Sequence, residues 1–150
     1  MGANLQPIFT STPVFETVVI NPVIASSNYN PNTFFNGSSN VFTATDNYGT
    51  LINKITISST GDTTNTAVSA KLVYIYLCKY GNSPALYRTV SMPATTISDT
   101  VPNPTIEIET NDLHLNANDK IYVAASANFS TASSYADYLA ITIEGGSYQS

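Results

Sequence analysis

The chain has no tryptophan, one cysteine, one histidine and only five basic residues. Each shortage closes off a class of function. A single cysteine, Cys78, cannot form an intrachain disulfide, and its place at the end of the apolar run Leu72 to Cys78 reads as a small buried thiol. A single histidine, His114, excludes the common zinc patterns, which need two or more His or Cys ligands at fixed spacing. The five bases form no run, so the electrostatic footprint of nucleic-acid binding is missing, and a net charge of −5 would repel a phosphate backbone. Charge of either sign is scarce, at 10% of residues against about a quarter in an ordinary globular domain. No apolar stretch reaches the ~18 residues of a transmembrane helix, so neither nucleic acid nor membrane is an expected partner. Met1 to Gln6 has no basic n-region and no apolar h-region, and Gln6 stands where myristoylation needs Ser or Thr. The chain is therefore expected to be made and folded in a cytoplasm. In that setting the sequons at Asn36 and Asn128 are chance matches in a chain rich in Asn, Ser and Thr.

What is present is Thr, the most frequent residue, with Ser, Asn, Val, Ile and ten tyrosines. Thr, Val, Ile and Tyr favour strands, while the strong helix formers are thin. At 150 residues the chain fits one domain, burying roughly 68–70% of its unfolded surface in a single core. The spacing of apolar residues and turn residues predicts seven or eight short strands. Thr50 to Ser58 places Ile55 and Ile57 inward and Lys54 and Thr56 outward, and Ser58 to Asn65 reads as a loop. Val68 to Lys79 is the longest strand, apolar on both faces after Leu72 as a central strand covered on both sides should be. Tyr80 to Pro84 is a hairpin connection and Leu86 to Met92 returns. Thr105 to Thr110 alternates Ile106 and Ile108 against Glu107 and Glu109. Leu113-His114-Leu115 leads into the turn Asn116 to Asp119, and Lys120 to Ser126 returns. Ala127 to Tyr138 is one helical turn or a loop, Tyr138 to Glu144 is the last strand, and Gly145-Gly146 is a turn or flexible tail. The expected fold is all-β, a single jelly-roll-like β-sandwich over residues 41–150, preceded by an extended N-terminal arm and linker over residues 1–40.

Chemistry-bearing constellations are absent. His114 alternates with two leucines, so it points away from the core with no local partner to orient it for acid–base work. No G-x-S-x-G, G-x-G-x-x-G or Walker-type loop occurs. Glu107 and Glu109 leave one strand in parallel and read as a solvated face. Asp46-Asn47, and Asp112 with Asp119, are the residues that calcium chemistry would use, and they read instead as hydrated turns. The expectation is a non-enzymatic protein with no cofactor and no metal.

The informative residues are apolar and aromatic. Residues 1 to about 40 carry Pro7, Pro13, Pro22 and Pro31, which forbid a long helix and confine strands to edges. Yet Phe9, Phe15, Val18, Val19, Ile20, Phe34 and Phe35 need burial, and each such side chain gains roughly 1.5–3 kcal/mol when fully buried. Docking them on a neighbouring subunit makes a homo-oligomer, and folding the segment back as an edge strand of its own sandwich is the other solution. Tyrosine suits wet protein interfaces. Sugar-binding sites use the same rings, and carbohydrate binding is the competing reading.

Certain phrases resemble a family of small proteins encoded by tailed phages and prophages. They are the opening Asn4 to Val14, Asn53-Lys54-Ile55-Thr56-Ile57 before Ser59-Thr60-Gly61, and Leu72-Val73-Tyr74-Ile75-Tyr76. Leu113-His114-Leu115 running into Tyr122-Val123-Ala124-Ala125, and the ending Ile141 to Tyr148, complete them. The likeness covers most of the chain and rests on soft structural motifs, and this chain departs from it in richer Asn and Tyr content. The resemblance implies a virion protein, a capsid decoration or cement subunit on the assembled bacteriophage head. Its implied partners are the major capsid protein and further copies of itself, as a homotrimer at threefold positions. A fibre or receptor- or carbohydrate-binding module is the alternative, and the absence of heptads or repeats for a trimeric shaft speaks against it.

Overall fold

In a computed structural model the described residues are 12–20, 38–45, 48–60, 67–127 and 138–148. They form strands β1 (Thr12–Ile20), β2 (Ser39–Thr43), β3 (Thr50–Thr60), β4 (Ala67–Val68), β5 (Lys71–Cys78), β6 (Ala85–Met92), β7 (Thr95–Thr96), β8 (Thr105–Leu115), β9 (Lys120–Ala127) and β10 (Tyr138–Ser147). No helix occurs among the described residues. The fold is all-β. A first sheet has the order β1-β10-β3-β8, a second β2-β9-β5-β6, and β4 pairs with β7 alone.

The alternation of apolar residues decides which faces meet. Ile52, Ile55, Ile57, Leu139, Ile141 and Ile143 of the first sheet join Val73, Ile75, Ile121 and Val123 of the second in one fully buried cluster. Two sheets packed over a shared aliphatic core make a β-sandwich. The eight long strands pair in a nested scheme: β1 with β10, β2 with β9, β3 with β8, and β5 with β6, all antiparallel. Two further antiparallel pairings, β10 with β3 and β9 with β5, knit that ribbon into the two sheets.

Strand β5 lies centrally and is buried on both faces, as its apolar run predicts. Val73 and Ile75 enter the main core, while Tyr74 and Tyr76 form a second cluster with Ala124 on the opposite face. Other expectations need correction. The separate arm does not hold for residues 12–20, which pair with β10 over the whole length of β1 and so take the edge-strand solution. Edge placement suits Pro13, which has no N–H to give a ladder. The strand predicted from Val68 to Lys79 breaks after Val68, because Ala67 and Val68 pair with β7 while Lys71–Cys78 pair with β6 and β9. The turn Asn116 to Asp119 joins strands of different sheets, so β9 does not return beside β8.

The pair Gly145-Gly146, expected as a turn or flexible tail, instead continues the last strand. Gly145 and Gly146 lie within β10, opposite Ile52 and Leu51. A Cβ at Gly145 would overlap the carbonyl oxygen of Leu51, so the strand can pass there only without a side chain. The pairing shifts at this point because Asn53 is an extra residue on β3. Ala127 to Tyr138 falls largely outside the described residues.

Candidate interaction surfaces

The residues with catalytic or metal-binding potential are scattered or already engaged. His114 is exposed near the end of β8, facing away from buried Leu115. Its ring lies 5.7 Å from that of Tyr148 and covers Gly49, where a Cβ would come within 2.8 Å of His114 Nε2. Glu107 and Glu109 lie on the exposed outer face of β8. Lys54 sits between them and Glu144, 3.2 Å from Glu144 and 3.8 Å from Glu107. Its hydrogen bond with Glu144, reinforced by the charge of Glu107, holds the Lys54 ammonium above the usual lysine range. Asp112 and Asp119 do not converge: Asp112 is exposed in a left-handed bulge with Asn111, and Asp119 is buried. Among the described residues no group of three His, Cys, Asp or Glu side chains is placed to hold a metal ion. Asp46 and Asn47 lie outside the described residues. Cys78 is half-buried rather than buried, because the last residues of β5 reach the rim of the sandwich, and its thiol donates to the Asn82 carbonyl at 3.6 Å.

Asp119 organises one end of the sandwich. Its carboxylate accepts from Lys79 Nζ, from the Tyr80 N–H and from the Asn116 N–H, each at 2.9 Å. Burial alone would push this carboxyl up, but the three donors and the Lys79 charge outweigh burial and hold it below the usual carboxylate value. Lys79 Nζ also donates to the His114 carbonyl at 3.2 Å. The Ala44 N–H donates to Asp119 O at 2.9 Å, and the Asn118 N–H to Ala44 O at 2.7 Å. The end of β2, the β5–β6 turn and the β8–β9 connection are thus tied at one point. Tyr80 (74% exposed) and Tyr48 (59%) stand at this end, and Tyr148 is joined to it by its N–H donating to Gly49 O at 3.0 Å.

The two outer faces differ. On the second sheet, Tyr74, Tyr76 and Ala124 are buried, with Leu72 and Tyr122 packed on them. Burial, with the neighbouring Tyr74, pushes the Tyr76 hydroxyl up to about 12. On the first sheet, cross-strand neighbours form three rows: Phe15–Glu144–Lys54–Glu109, Thr17–Thr142–Thr56–Glu107 and Val19–Ala140–Ser58–Thr105. None of these side chains is buried, and Phe15 (70%) and Val19 (62%) are the most open of the large apolar ones. Thr17 and Thr142 share a hydrogen bond of 3.0 Å between their hydroxyls.

The residues predicted to make an interface therefore separate. Phe15 and Val19 are free to meet a partner. Val18 packs against the protein's own core and Ile20 is buried in it, because alternate residues of an edge strand turn inward. Phe9, Phe34 and Phe35 lie outside the described residues. Sequence reading missed the Asp119 network, whose partners come from two distant loops. No family model, curated protein or solved structure matches the chain.

Proposed function

We propose that the protein is a structural virion protein that decorates the assembled head of a tailed phage. In this reading it contacts the major capsid protein and neighbouring copies of itself through the open outer face of the first sheet. The observation that carries the reading is Phe15 and Val19, on the same face of β1 to either side of Thr17 and exposed to solvent while the core beneath them is filled. Exposed apolar side chains rimmed by polar ones mark association surfaces. The Thr- and Ser-lined middle of the face and the acids of β8 supply the polar rim such surfaces have. The nested pairing of the eight long strands supports a jelly-roll topology, an architecture used by virus coats and lectins alike. Because one architecture serves many functions, the surface carries the reading rather than the fold.

The test is co-sedimentation with assembled heads that lack the protein, alongside immunogold labelling of whole particles and light scattering for the oligomeric state. Saturable binding to heads by a trimeric wild type is expected. A Phe15→Ser, Val19→Ser double variant should keep its thermal transition and lose binding. Label confined to the tail tip, or no binding to heads, refutes the reading.

A further inference from the structure

We propose that the end of the sandwich bearing Tyr48, Tyr80, His114 and Tyr148 is a binding site for a neutral carbohydrate, held by stacking on the aromatic rings. This site is separate from the outer face of the first sheet and does not rest on the virion reading. Three features of the end combine to support it.

Tyr48, just before β3, and Tyr80, in the β5–β6 turn, are both exposed, and neither contributes to a core. An exposed tyrosine offers a flat apolar face together with a hydroxyl, which matches the alternating C–H and O–H surface of a sugar. The rings also stand on a fixed support. The Asp119 carboxylate ties the β5–β6 turn to the β8–β9 connection with three hydrogen bonds of 2.9 Å. Backbone bonds join Ala44 to the same point, and the His114 ring is packed on Gly49 and against Tyr148. Gly49 holds φ at +93°, a conformation a side chain would strain, so the approach of His114 depends on glycine there. A site that is already ordered loses less entropy on binding than one that must be assembled.

Charge then selects the ligand class. Lys79 and Asp119 cancel each other as an ion pair. Lys120, beside Cys78 and Thr43, shares the outer face of the second sheet with Tyr122 and Ala124, and the exposed amides Asn82, Asn116 and Asn118 frame the end. Aromatic faces beside amide donors and acceptors suit a polyhydroxylated neutral ligand.

The chain has ten tyrosines and no tryptophan, so the part of its intrinsic fluorescence that changes on binding and is lost when Tyr48 and Tyr80 are replaced reports on these rings. Titration of the full-length protein with short gluco-, manno-, galacto- and N-acetylglucosamine oligomers should give saturable binding of at least one. A Tyr48→Ala, Tyr80→Ala double variant should melt like the wild type and bind that oligomer about tenfold or more weakly. The Phe15→Ser, Val19→Ser variant, altered on the other surface, should bind it unchanged. The proposal is overturned if no neutral oligomer binds at millimolar concentration, or if a charged sugar is preferred. Equal binding by the Tyr48→Ala, Tyr80→Ala variant, or equal loss in both double variants, overturns it too, the last by revealing unspecific adhesion.

Discussion

Replacing Asp119 with alanine should be the most damaging single change at the loop end. Its carboxylate is 3% exposed and satisfies two backbone N–H groups, Tyr80 and Asn116, as well as Lys79. Hydrogen bonds to a charged group are worth about 1.5–3 kcal/mol each, and both N–H groups lie near the rim, where water relieves part of the loss. The Lys79 side chain is 44% exposed, so solvent screens its share and it is left out of the sum. The expected cost is therefore about 3 kcal/mol, or roughly 6–12 °C in melting temperature for a chain of this length. The pH dependence follows from the carboxyl being held below its ordinary value of 3.8. A depressed carboxyl contributes fully above its unfolded value, and the contribution is lost as pH falls through the lower folded value. Thermal unfolding of wild type and Asp119→Ala should thus differ by a constant amount from about pH 7 to about pH 5, and the gap should close on stronger acidification. A difference under about 1 kcal/mol at neutral pH would refute the reasoning. So would a gap that stays constant at acid pH.

Three further outcomes are expected. Gly145→Ala should destabilise by about 1–3 kcal/mol or more in chemical denaturation, because the new Cβ meets the Leu51 backbone rather than a movable side chain. Deleting residues 1–24 removes β1, exposes the edge of β10 and takes Ile20 from the core; circular dichroism should show a lost or strongly lowered thermal transition, whereas an unchanged one would show that β1 is dispensable. The Tyr76 hydroxyl is raised to about 12, so the stability it contributes is full below its ordinary value of 10 and lost as pH rises toward 12. Ultraviolet titration should show a late tyrosinate step that Tyr76→Phe lacks.

Much of the fold was legible because its strands alternate cleanly. Ile55 and Ile57 inward with Lys54 outward, and β5 apolar on both faces, needed only the period of two. The same rule fails at Ile52, which shares parity with Lys54 and yet is fully buried. The extra residue Asn53 resets the alternation. On β8, Ile106 and Ile108 have one parity and Leu113 and Leu115 the other. Between Glu109 and Leu113 three residues stand against Asn53 alone, and Asn111 and Asp112 adopt φ of 49° and 61°. Asn and Asp tolerate that conformation better than other side chains, which is the one local hint that the two apolar pairs belong to one strand. Thr110 donates its hydroxyl to the Ile52 carbonyl inside the irregularity, a pairing no spacing rule supplies. The face of His114 could be read from Leu113 and Leu115, but the partner of Asp119 at Tyr80 lies 39 residues away. Only the topology brings such residues to one end.

The edges of the two sheets narrow the ways in which the molecule can associate. An open edge strand invites another strand to pair with it, and each of the four edges carries a feature that resists this. On β1, Pro13 cannot donate, and exposed Glu16 sits opposite Ile143, on the face that turns toward the core. A second copy pairing antiparallel about the centre of β1 would bring Glu16 against Glu16, like charges in direct opposition. Strand β8 is kinked by Asn111 and Asp112 and carries exposed Glu107 and Glu109. Strand β6 has Tyr87 as an extra residue between the partners of Ile75 and Tyr76. Strand β2 is five residues long with Val41 as an extra residue, and Asn40 closes that irregularity by accepting from the Phe42 N–H at 3.1 Å. With strand addition disfavoured on all four sides, the broad outer face that holds Phe15 and Val19 and the tyrosine-bearing end are the open surfaces among the described residues that best fit a partner. Variants in Phe15 and Val19 and variants in Tyr48 and Tyr80 therefore test these two surfaces separately.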